Sequence, residues 1–320
     1  MRRTVQRVLF PILALPILGC GSDDAPPAET GAEAQQAADG VVEVLARGLI
    51  FEAPSEIPAG WTTFRLVNQS EMVHFAAVER MPEGVGGQQH QDEVAPVFQE
   101  GYDLLRQGET DRAMARFGEL PDWFGDVVFV GGPGLTAPGL TSEATIYLEP
   151  GTYLMECWVK TADVFHSYNP DPQRWGMVHE FTVTQEMSQA PQPAPSLRVI
   201  LSSQAGITLQ GTPAAGTHTF MVEYQDQTVH ENFLGHDVHL ARIEDDIDLD
   251  ALNTWMDWTH PHGLESPAPV RFMGGLNEMA EGATGYFTVT LEPGRYALVA
   301  EVTNPQGKGM LHTFTVPEPD

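Results

Sequence analysis

Thiol and imidazole groups are the side chains of this sequence that could bind a metal ion or act as nucleophiles. The chain of 320 residues contains two cysteines, Cys20 and Cys157, and 11 histidines. Cys20 ends an apolar leader, so Cys157 is the only thiol of the folded part and has no partner for an intramolecular disulfide. Considered alone, Cys157 is either a small buried apolar residue of a strand, a metal ligand or a reactive thiol.

Histidines are concentrated in the second half of the chain. His236 and His239 are three residues apart, and His260 and His262 flank Pro261. Such spacings can chelate Cu(II), Zn(II) or Ni(II). Residues three apart in a strand lie on opposite faces, however, and one His-x-His pair is common by chance. We therefore favour surface or core histidines here over a metal site.

The first 40 residues predict export rather than a folded domain. Three arginines precede the apolar stretch from Val8 to Leu18, which has the length of a signal peptide and is too short to span a membrane. Ile17-Leu18-Gly19-Cys20 resembles the lipobox of bacterial lipoproteins, which implies lipidation of Cys20; a plain secretory signal is the alternative. We expect a lipoprotein signal peptide over 1–19, a disordered tether over 20–40, and a lipid-anchored location in the bacterial cell envelope, in the periplasm or on the outer membrane.

Charge restricts the partners. The chain has 16 Lys and Arg against 44 Asp and Glu, for a formal net charge of −28. An acidic surface of this kind repels a phosphate backbone, so nucleic acid is excluded as a partner. Cationic partners are favoured.

An internal repeat divides the rest of the chain. Val127 to Gly151 aligns without gaps on Val270 to Gly294, and Trp175 to Val183 resembles Lys308 to Val316. A Pro-rich segment separates the two copies. We expect two domains, over 41–186 and 197–317, joined by a linker over 187–196.

Each copy predicts a β domain. Runs of β-branched and aromatic residues such as Tyr153 to Val159 are bounded by Pro-Gly and Asn turns, which indicates an all-β fold of two β-sandwiches in tandem. Each copy also contains a short helical insertion. We expect it over Asp92 to Arg106 and Asp111 to Phe117 in the first copy, and over Leu249 to Trp258 in the second.

Three segments of the first copy resemble plastocyanin-like cupredoxins. Asn68 to His74 matches the Asn-x5-His segment of that family, Gly151 to Cys157 matches its Gly-x-Tyr-x3-Cys strand, and Gly176-Met177-Val178 matches its closing strand. The resemblance covers most of the first copy in the correct order. It implies that both copies are cupredoxin-like Greek-key sandwiches.

The resemblance also implies one type 1 copper ion in the first domain. By position, His74 supplies one imidazole, Cys157 the thiolate and Met177 the axial sulfur; the first histidine after Cys157 is His166, which we expect to be the second imidazole. His179 is an alternative ligand. Plastocyanin-like loops place the second histidine two to four residues after the cysteine, so the spacing of nine is a departure from the family pattern.

The second copy has Ala300 in the position of Cys157, so it cannot hold a type 1 copper ion, although Met310 and His312 match Met177 and His179. Its first histidine is either His230 or His239. We expect a membrane-anchored copper protein for electron transfer, with a basic redox partner such as a cytochrome. The alternative is a copper-free binding or accessory module at the cell envelope.

An enzyme is not expected from the sequence. A multicopper oxidase or a copper nitrite reductase would need several His-x-His pairs for further copper sites, and the chain has one. No Gly-x-Ser-x-Gly or His-Glu-x2-His motif is present either.

Overall fold

The computed structural model describes residues 40–244 and 247–319. The predicted signal peptide, nearly all of the predicted tether and the lipidation site Cys20 lie outside the described residues. Within the described ranges, no helix is long and apolar enough to cross a membrane.

Ten strands form the first half. They are β1 (Val41–Arg47), β2 (Ile50–Glu52), β3 (Glu56–Asn68), β4 (Ala77–Arg80), β5 (Val128–Gly131), β6 (Thr141–Leu148), β7 (Gly151–Glu156), β8 (Lys160–Thr161), β9 (Val164–Phe165) and β10 (Val178–Met187). Between β4 and β5 lie the helical turns Gly87–Gln89 and His90–Val94, the helices α1 (Ala95–Arg106) and α2 (Thr110–Phe117), and the short helix Asp122–Asp126. This helical insertion begins five residues before the predicted start.

Eight strands and one helix form the second half. They are β11 (Leu197–Ser202), β12 (Gly206–Gln210), β13 (Gly216–Tyr224), β14 (Val238–Ile243), α3 (Leu249–Trp255), β15 (Arg271–Leu276), β16 (Thr284–Leu291), β17 (Gly294–Val299) and β18 (Leu311–Val316). The predicted helical insertion over Leu249 to Trp258 ends three residues earlier than expected. The prediction of an all-β fold with short helical insertions is confirmed.

The 13-residue strand β3 connects the two layers of the first half. Its C-terminal part pairs with β1 and β6, and its N-terminal end pairs with β10, whose other edge continues through β7 and β4 to β5. The second half has the layers β12-β11-β13-β16 and β15-β14-β17-β18. Each half is thus a β-sandwich with a buried apolar interior.

The two sandwiches are joined edge to edge. Strand β16 pairs antiparallel with β6, with Phe287 opposite Ala144, so that one 12-stranded sheet runs through both halves. The sequence predicted two separate domains linked by a Pro-rich segment, and it did not show this pairing. Its physical reason is that β6 and β16 would otherwise expose unpaired backbone groups at a sheet edge.

The same corner is built in both halves. Arg80 pairs with Glu149, and Tyr153 donates its hydroxyl hydrogen to the Glu149 carbonyl oxygen. In the second half Arg242 pairs with Glu292, and the Tyr296 hydroxyl donates to the Glu292 carbonyl oxygen.

Strand β7 is buried on both faces. Tyr153, Met155 and, just after the strand, Cys157 belong to the main apolar core. Leu154 belongs to a smaller cluster with Met81 and Val178, and Trp123 of the helical insertion packs against this cluster. Because side chains alternate along a strand, Glu156 points away from the face that holds Cys157.

Candidate metal centre

Three potential ligand atoms converge behind the end of β7. Cys157 Sγ lies 3.5 Å from His74 Nδ1 and 3.6 Å from His166 Nδ1, and the two nitrogens are 3.2 Å apart. All three residues are fully or almost fully buried. The structure therefore brings together three of the four residues that the sequence suggested as ligands, each by an atom that can bind a metal.

The size of this triangle suits a copper ion. A point at the centre of a triangle with these sides lies about 2 Å from each corner, which is the length of a bond between an imidazole nitrogen and a transition metal. One thiolate and two imidazoles in a trigonal arrangement, with a weak thioether, are the donors of a type 1 copper site. The buried His-Cys-His-Met set fits one type 1 copper ion.

Asn68 positions His74. Its side-chain amide donates to the carbonyl oxygens of Met72 and Thr136, and its side-chain oxygen accepts from the backbone and hydroxyl groups of Ser70. The backbone of His74 pairs in both directions with Thr136. These bonds fix the turn before His74 and explain why an asparagine six residues upstream accompanies the histidine.

A small hairpin accounts for the long spacing between Cys157 and His166. Strands β8 and β9 pair within this segment, and the two residues between them, Ala162 and Asp163, have positive φ angles of 51° and 66°. Two such residues form the tight turn that joins short antiparallel strands. The hairpin returns the chain to the site, where the His166 backbone N–H donates to the Val159 carbonyl oxygen.

Thr161 orients the His166 ring. Its hydroxyl lies 2.9 Å from Nε2 of His166 and 3.2 Å from the sulfur of Met72. With Nε2 engaged by this hydroxyl, Nδ1 is the ring nitrogen turned toward Cys157. Partners of this kind, behind the ligand, fix the orientation of metal-binding histidines.

The backbone connects Met177 to both other ligand segments. The Met177 N–H donates to the His166 carbonyl oxygen at 2.6 Å, and the Met177 carbonyl oxygen accepts from the Cys157 N–H at 3.2 Å. Its side chain is completely buried in the main core. Gly176 permits this approach, because a Cβ there would lie 2.1 Å from the Ser167 carbonyl oxygen.

The second half holds the hairpin of the ligand loop. The Lys160 N–H donates to the Leu264 carbonyl oxygen, the Lys160 carbonyl oxygen accepts from the Ser266 N–H, and Lys160 Nζ donates to the Trp258 carbonyl oxygen at 2.8 Å. The same ammonium group lies 3.6 Å from the ring centroid of Tyr102 in α1. The loop is thereby clamped between the helical insertion and the second half.

His179 lies elsewhere. Its Nε2 is 3.1 Å from the Pro54 carbonyl oxygen, and its ring stacks on Phe181. His179 lies two residues beyond Met177, its Nε2 is turned toward Pro54, and the triangle of ligand atoms does not include it.

Burial sets the protonation of the metal-free site. It lowers the pKa of His74 to about 4, with a smaller opposing effect from the backbone of Gly48, and it lowers that of His166 to about 3, helped by the neighbouring His74. Burial raises the pKa of the Cys157 thiol to about 12. At neutral pH both imidazoles are therefore free to bind a metal, and the thiol still carries its proton.

The second half has backbone hydrogen bonds and strand pairing equivalent to those around the copper site, but it lacks the thiol. The Ala300 N–H donates to the Met310 carbonyl oxygen, as Cys157 does to Met177. His239 pairs with Val299 in the place where Ala77 pairs with Glu156. His74 lies three residues before Ala77, and His236 lies three residues before His239, so His236 is the equivalent of His74. The sequence had suggested His230 or His239 for this position.

The histidines of the second half make several contacts within the protein. His239 accepts from the Leu135 N–H at Nδ1 and contacts Asp237 at Nε2, whereas the His236 ring lies beside that of His230. His260 Nδ1 accepts from the backbone N–H of His262. His230 Nε2 and both ring nitrogens of His236 are buried without a hydrogen-bond partner, and the preference for core and surface histidines stays a prediction.

A further buried cluster was missed by the sequence analysis. Glu79, His90 and Glu156 bring potential ligand atoms within 4.8 Å of one another. They come from β4, the helical insertion and β7, so no local motif connects them. The one signal available was an acidic residue directly before Cys157 in an otherwise apolar strand.

No protein-family model matches this chain. No curated protein matches it either. The solved structures that resemble it include blue copper proteins. Auracyanin B aligns with 40% of this chain and 94% of its own at 17% identity and a TM-score of 0.29. Auracyanin A, a "blue" copper protein from Chloroflexus aurantiacus, aligns with 45% of this chain and 98% of its own at 18% identity and a TM-score of 0.25.

A longer alignment corrects one expectation. A multicopper oxidase aligns with 86% of this chain and 87% of its own, at 12% identity and a TM-score of 0.21. The expectation that the protein is not an enzyme is contradicted, because copper enzymes match over most of the chain. The sequence argument counted only His-x-His pairs, whereas metal sites also use carboxylates. At this level of similarity, the match assigns no activity.

We predict that copper(II) binding releases one proton per ion at pH 7. When the pH is lowered to 5.5, the number of protons released should stay the same. The proton comes from Cys157, whereas the imidazoles of His74 and His166 are already neutral. Below about pH 4, protons compete for His74, and affinity falls. A titration in weakly buffered solution measures the release.

The Cys157→Ser variant is the control and should release no proton. Histidines with ordinary pKa values would release more protons at pH 5.5 than at pH 7. Such a rise in the wild type would show that the two imidazoles are not buried as described.

Proposed function

We propose that the protein is a lipid-anchored, extracytoplasmic copper protein whose first half transfers electrons. The observation that carries the proposal is the buried triangle of Cys157 Sγ, His74 Nδ1 and His166 Nδ1, with sides of 3.2–3.6 Å. A copper ion held there would supply one-electron chemistry between its two oxidation states. The bonds of Asn68 and Thr161 hold the imidazoles in one geometry, which keeps the rearrangement between those states small.

A hydrogen-bonded route leads from the site to the surface. His166 Nε2 contacts the Thr161 hydroxyl, and this hydroxyl contacts the Met72 sulfur. Thr161 and Met72 are half-buried, and Glu71 beside them is exposed. A basic redox partner such as a cytochrome would dock at this point, attracted by the acidic surface.

The second half supports a role without copper. It repeats the Arg–Glu–Tyr corner and the hydrogen bond between Ala300 and Met310. We infer that it arose by duplication of the first half and lost the cysteine ligand. A copper-free binding module is the second candidate function for the whole chain, because this half shows that the scaffold folds without the thiol.

Copper(II) added to the metal-free protein should produce an intense visible charge-transfer band from the Cys157 thiolate. Cys157→Ser should abolish this band, and His166→Ala should abolish or strongly shift it. His179→Ala is the matched control and should leave the band unchanged, because His179 hydrogen-bonds to Pro54 away from the site. Absorption spectroscopy during reduction and reoxidation measures both the band and its reversibility.

The absence of any such band in the wild type would favour the copper-free binding module. A band that persists in Cys157→Ser, or one that disappears in His179→Ala, would contradict the ligand set.

Electron transfer to a basic cytochrome should slow steeply as salt increases. The net charge of −28 attracts a cationic partner at low ionic strength, and at 0.1 M salt screening removes most of this attraction beyond about 10 Å. Stopped-flow rates from 10 mM to 500 mM NaCl measure the effect, and an acidic acceptor should show the opposite trend. Rates independent of salt with both acceptors would contradict electrostatic docking.

The anchor is tested by cell fractionation. The wild-type protein should sediment with membranes and incorporate labelled fatty acid, whereas Cys20→Ser should do neither. A soluble wild-type protein would indicate the plain secretory signal instead.

A further inference from the structure

A second group of buried polar side chains lies on the opposite face of β7 from the copper ligands. Glu79, His90 and Glu156 are at most 3% exposed. They come from three separate elements, and their ligand atoms lie within 4.8 Å of one another. Polar groups are normally buried only where hydrogen bonds satisfy them.

The atoms that face one another in this cluster are not satisfied. His90 Nε2 lies 2.7 Å from Glu156 Oε2, yet the two do not meet in hydrogen-bonding geometry, and neither atom has another hydrogen-bond partner. Glu79 Oε2 is also buried without a partner. Leaving such groups unpaired costs about 1–3 kcal/mol each, so a ligand that engages all three atoms would stabilise this arrangement.

Neighbouring residues hold these atoms in place. The Trp158 indole donates to the other carboxylate oxygen of Glu156. Nδ1 of His90 lies 3.4 Å from the Gln91 amide, so that Nε2 is turned toward Glu156. Among the described residues, His90 is the only basic side chain whose nitrogen comes within 4 Å of either carboxylate.

We propose that Glu79, His90 and Glu156 form a second metal site, separate from the copper centre, for a divalent transition-metal ion of the Zn(II), Mn(II) or Fe(II) type. Carboxylate and imidazole donors without a thiolate suit this group of ions. A dication bound between the two carboxylates satisfies the three unpaired atoms and balances the two negative charges.

A cavity adjoins one residue of this site, Glu156. Glu156 lines a cavity of about 100 Å³ between the two halves, which has room for small molecules such as water. Its other walls are aromatic, including Phe98, Trp158 and Trp258, and acidic, with Asp237, Glu278 and Glu301. The cavity leaves space beside Glu156 for a further ligand on the metal.

A comparable cluster in the second half does not share these properties. Asp237, His239 and Glu301 also lie close together. Both nitrogens of His239 are engaged there, by the Leu135 N–H and by Asp237, and Asp237 Oδ1 accepts from the Glu301 N–H. This cluster is a satisfied hydrogen-bond network and serves as an internal control.

The test measures zinc binding by the full chain in a Cys157→Ser background, which removes the thiolate that could itself bind zinc. We expect one Zn(II) ion per chain with a dissociation constant at or below the micromolar range. Adding Glu79→Gln or His90→Gln should weaken binding at least tenfold. Adding His239→Gln should leave it unchanged. Equilibrium dialysis with metal analysis gives stoichiometry and affinity.

Thermal denaturation separates metal binding from a structural role. Zinc should raise the melting temperature of the Cys157→Ser chain but not that of its Glu79→Gln derivative, and without metal the two should melt alike. The proposal would be overturned if the Cys157→Ser chain bound no zinc. It would also be overturned if zinc binding survived both Glu79→Gln and His90→Gln, or if His239→Gln abolished it. A lower melting temperature of metal-free Glu79→Gln would also overturn it, since that result indicates a structural network.

The copper centre is monitored separately. In the otherwise wild-type chain with copper(II) added, Glu79→Gln should keep the visible thiolate band. Loss of the band in that variant would show that the two groups form one site and would also overturn the proposal.

Discussion

The burial of β7 on both faces is the constraint on which the two candidate sites depend. A strand at the surface alternates apolar and polar side chains, but the helical insertion and the second half cover the outer face of this one. Every polar group on it must therefore find a partner inside the protein. Cys157 is directed toward His74 and His166, and Glu156 toward Glu79 and His90, so consecutive residues supply ligand atoms to two different clusters.

Several residues near the copper centre could be found from the sequence because they lie close together along the chain, in segments that resemble those of cupredoxins. Asn68 and His74 lie at the two ends of one turn, and Cys157 directly follows the strand that begins at Gly151, so their spacing matched the cupredoxin pattern that suggested them. His166 was suggested only as the first histidine after Cys157. Its place became clear with the β8–β9 hairpin, whose turn residues, Ala162 and Asp163, carry no glycine or asparagine signal.

Features that depend on long-range packing could not be predicted. Glu79, His90 and Glu156 meet only when β4, β7 and the helical insertion have assembled. The pairing of β6 with β16 cannot be recognised in the sequence of either strand. An internal strand and an edge strand can have the same alternation of apolar and polar residues. The equivalence of His236 with His74 required the register of β14 against β17, because the intervening loops differ in length.

The contacts of the second half explain how it can matter without a metal of its own. Leu264, Ser266 and Trp258 bind the backbone and the ammonium group of Lys160, which lies in the loop between Cys157 and His166. Burial lowers the pKa of Lys160 to about 7, so keeping this side chain inside is costly unless its hydrogen bond and its contact with the Tyr102 ring are retained. The loop that carries His166 therefore depends on both halves remaining docked. The second half, which has Ala300 in place of a cysteine, thus provides the surface against which the His166 loop packs.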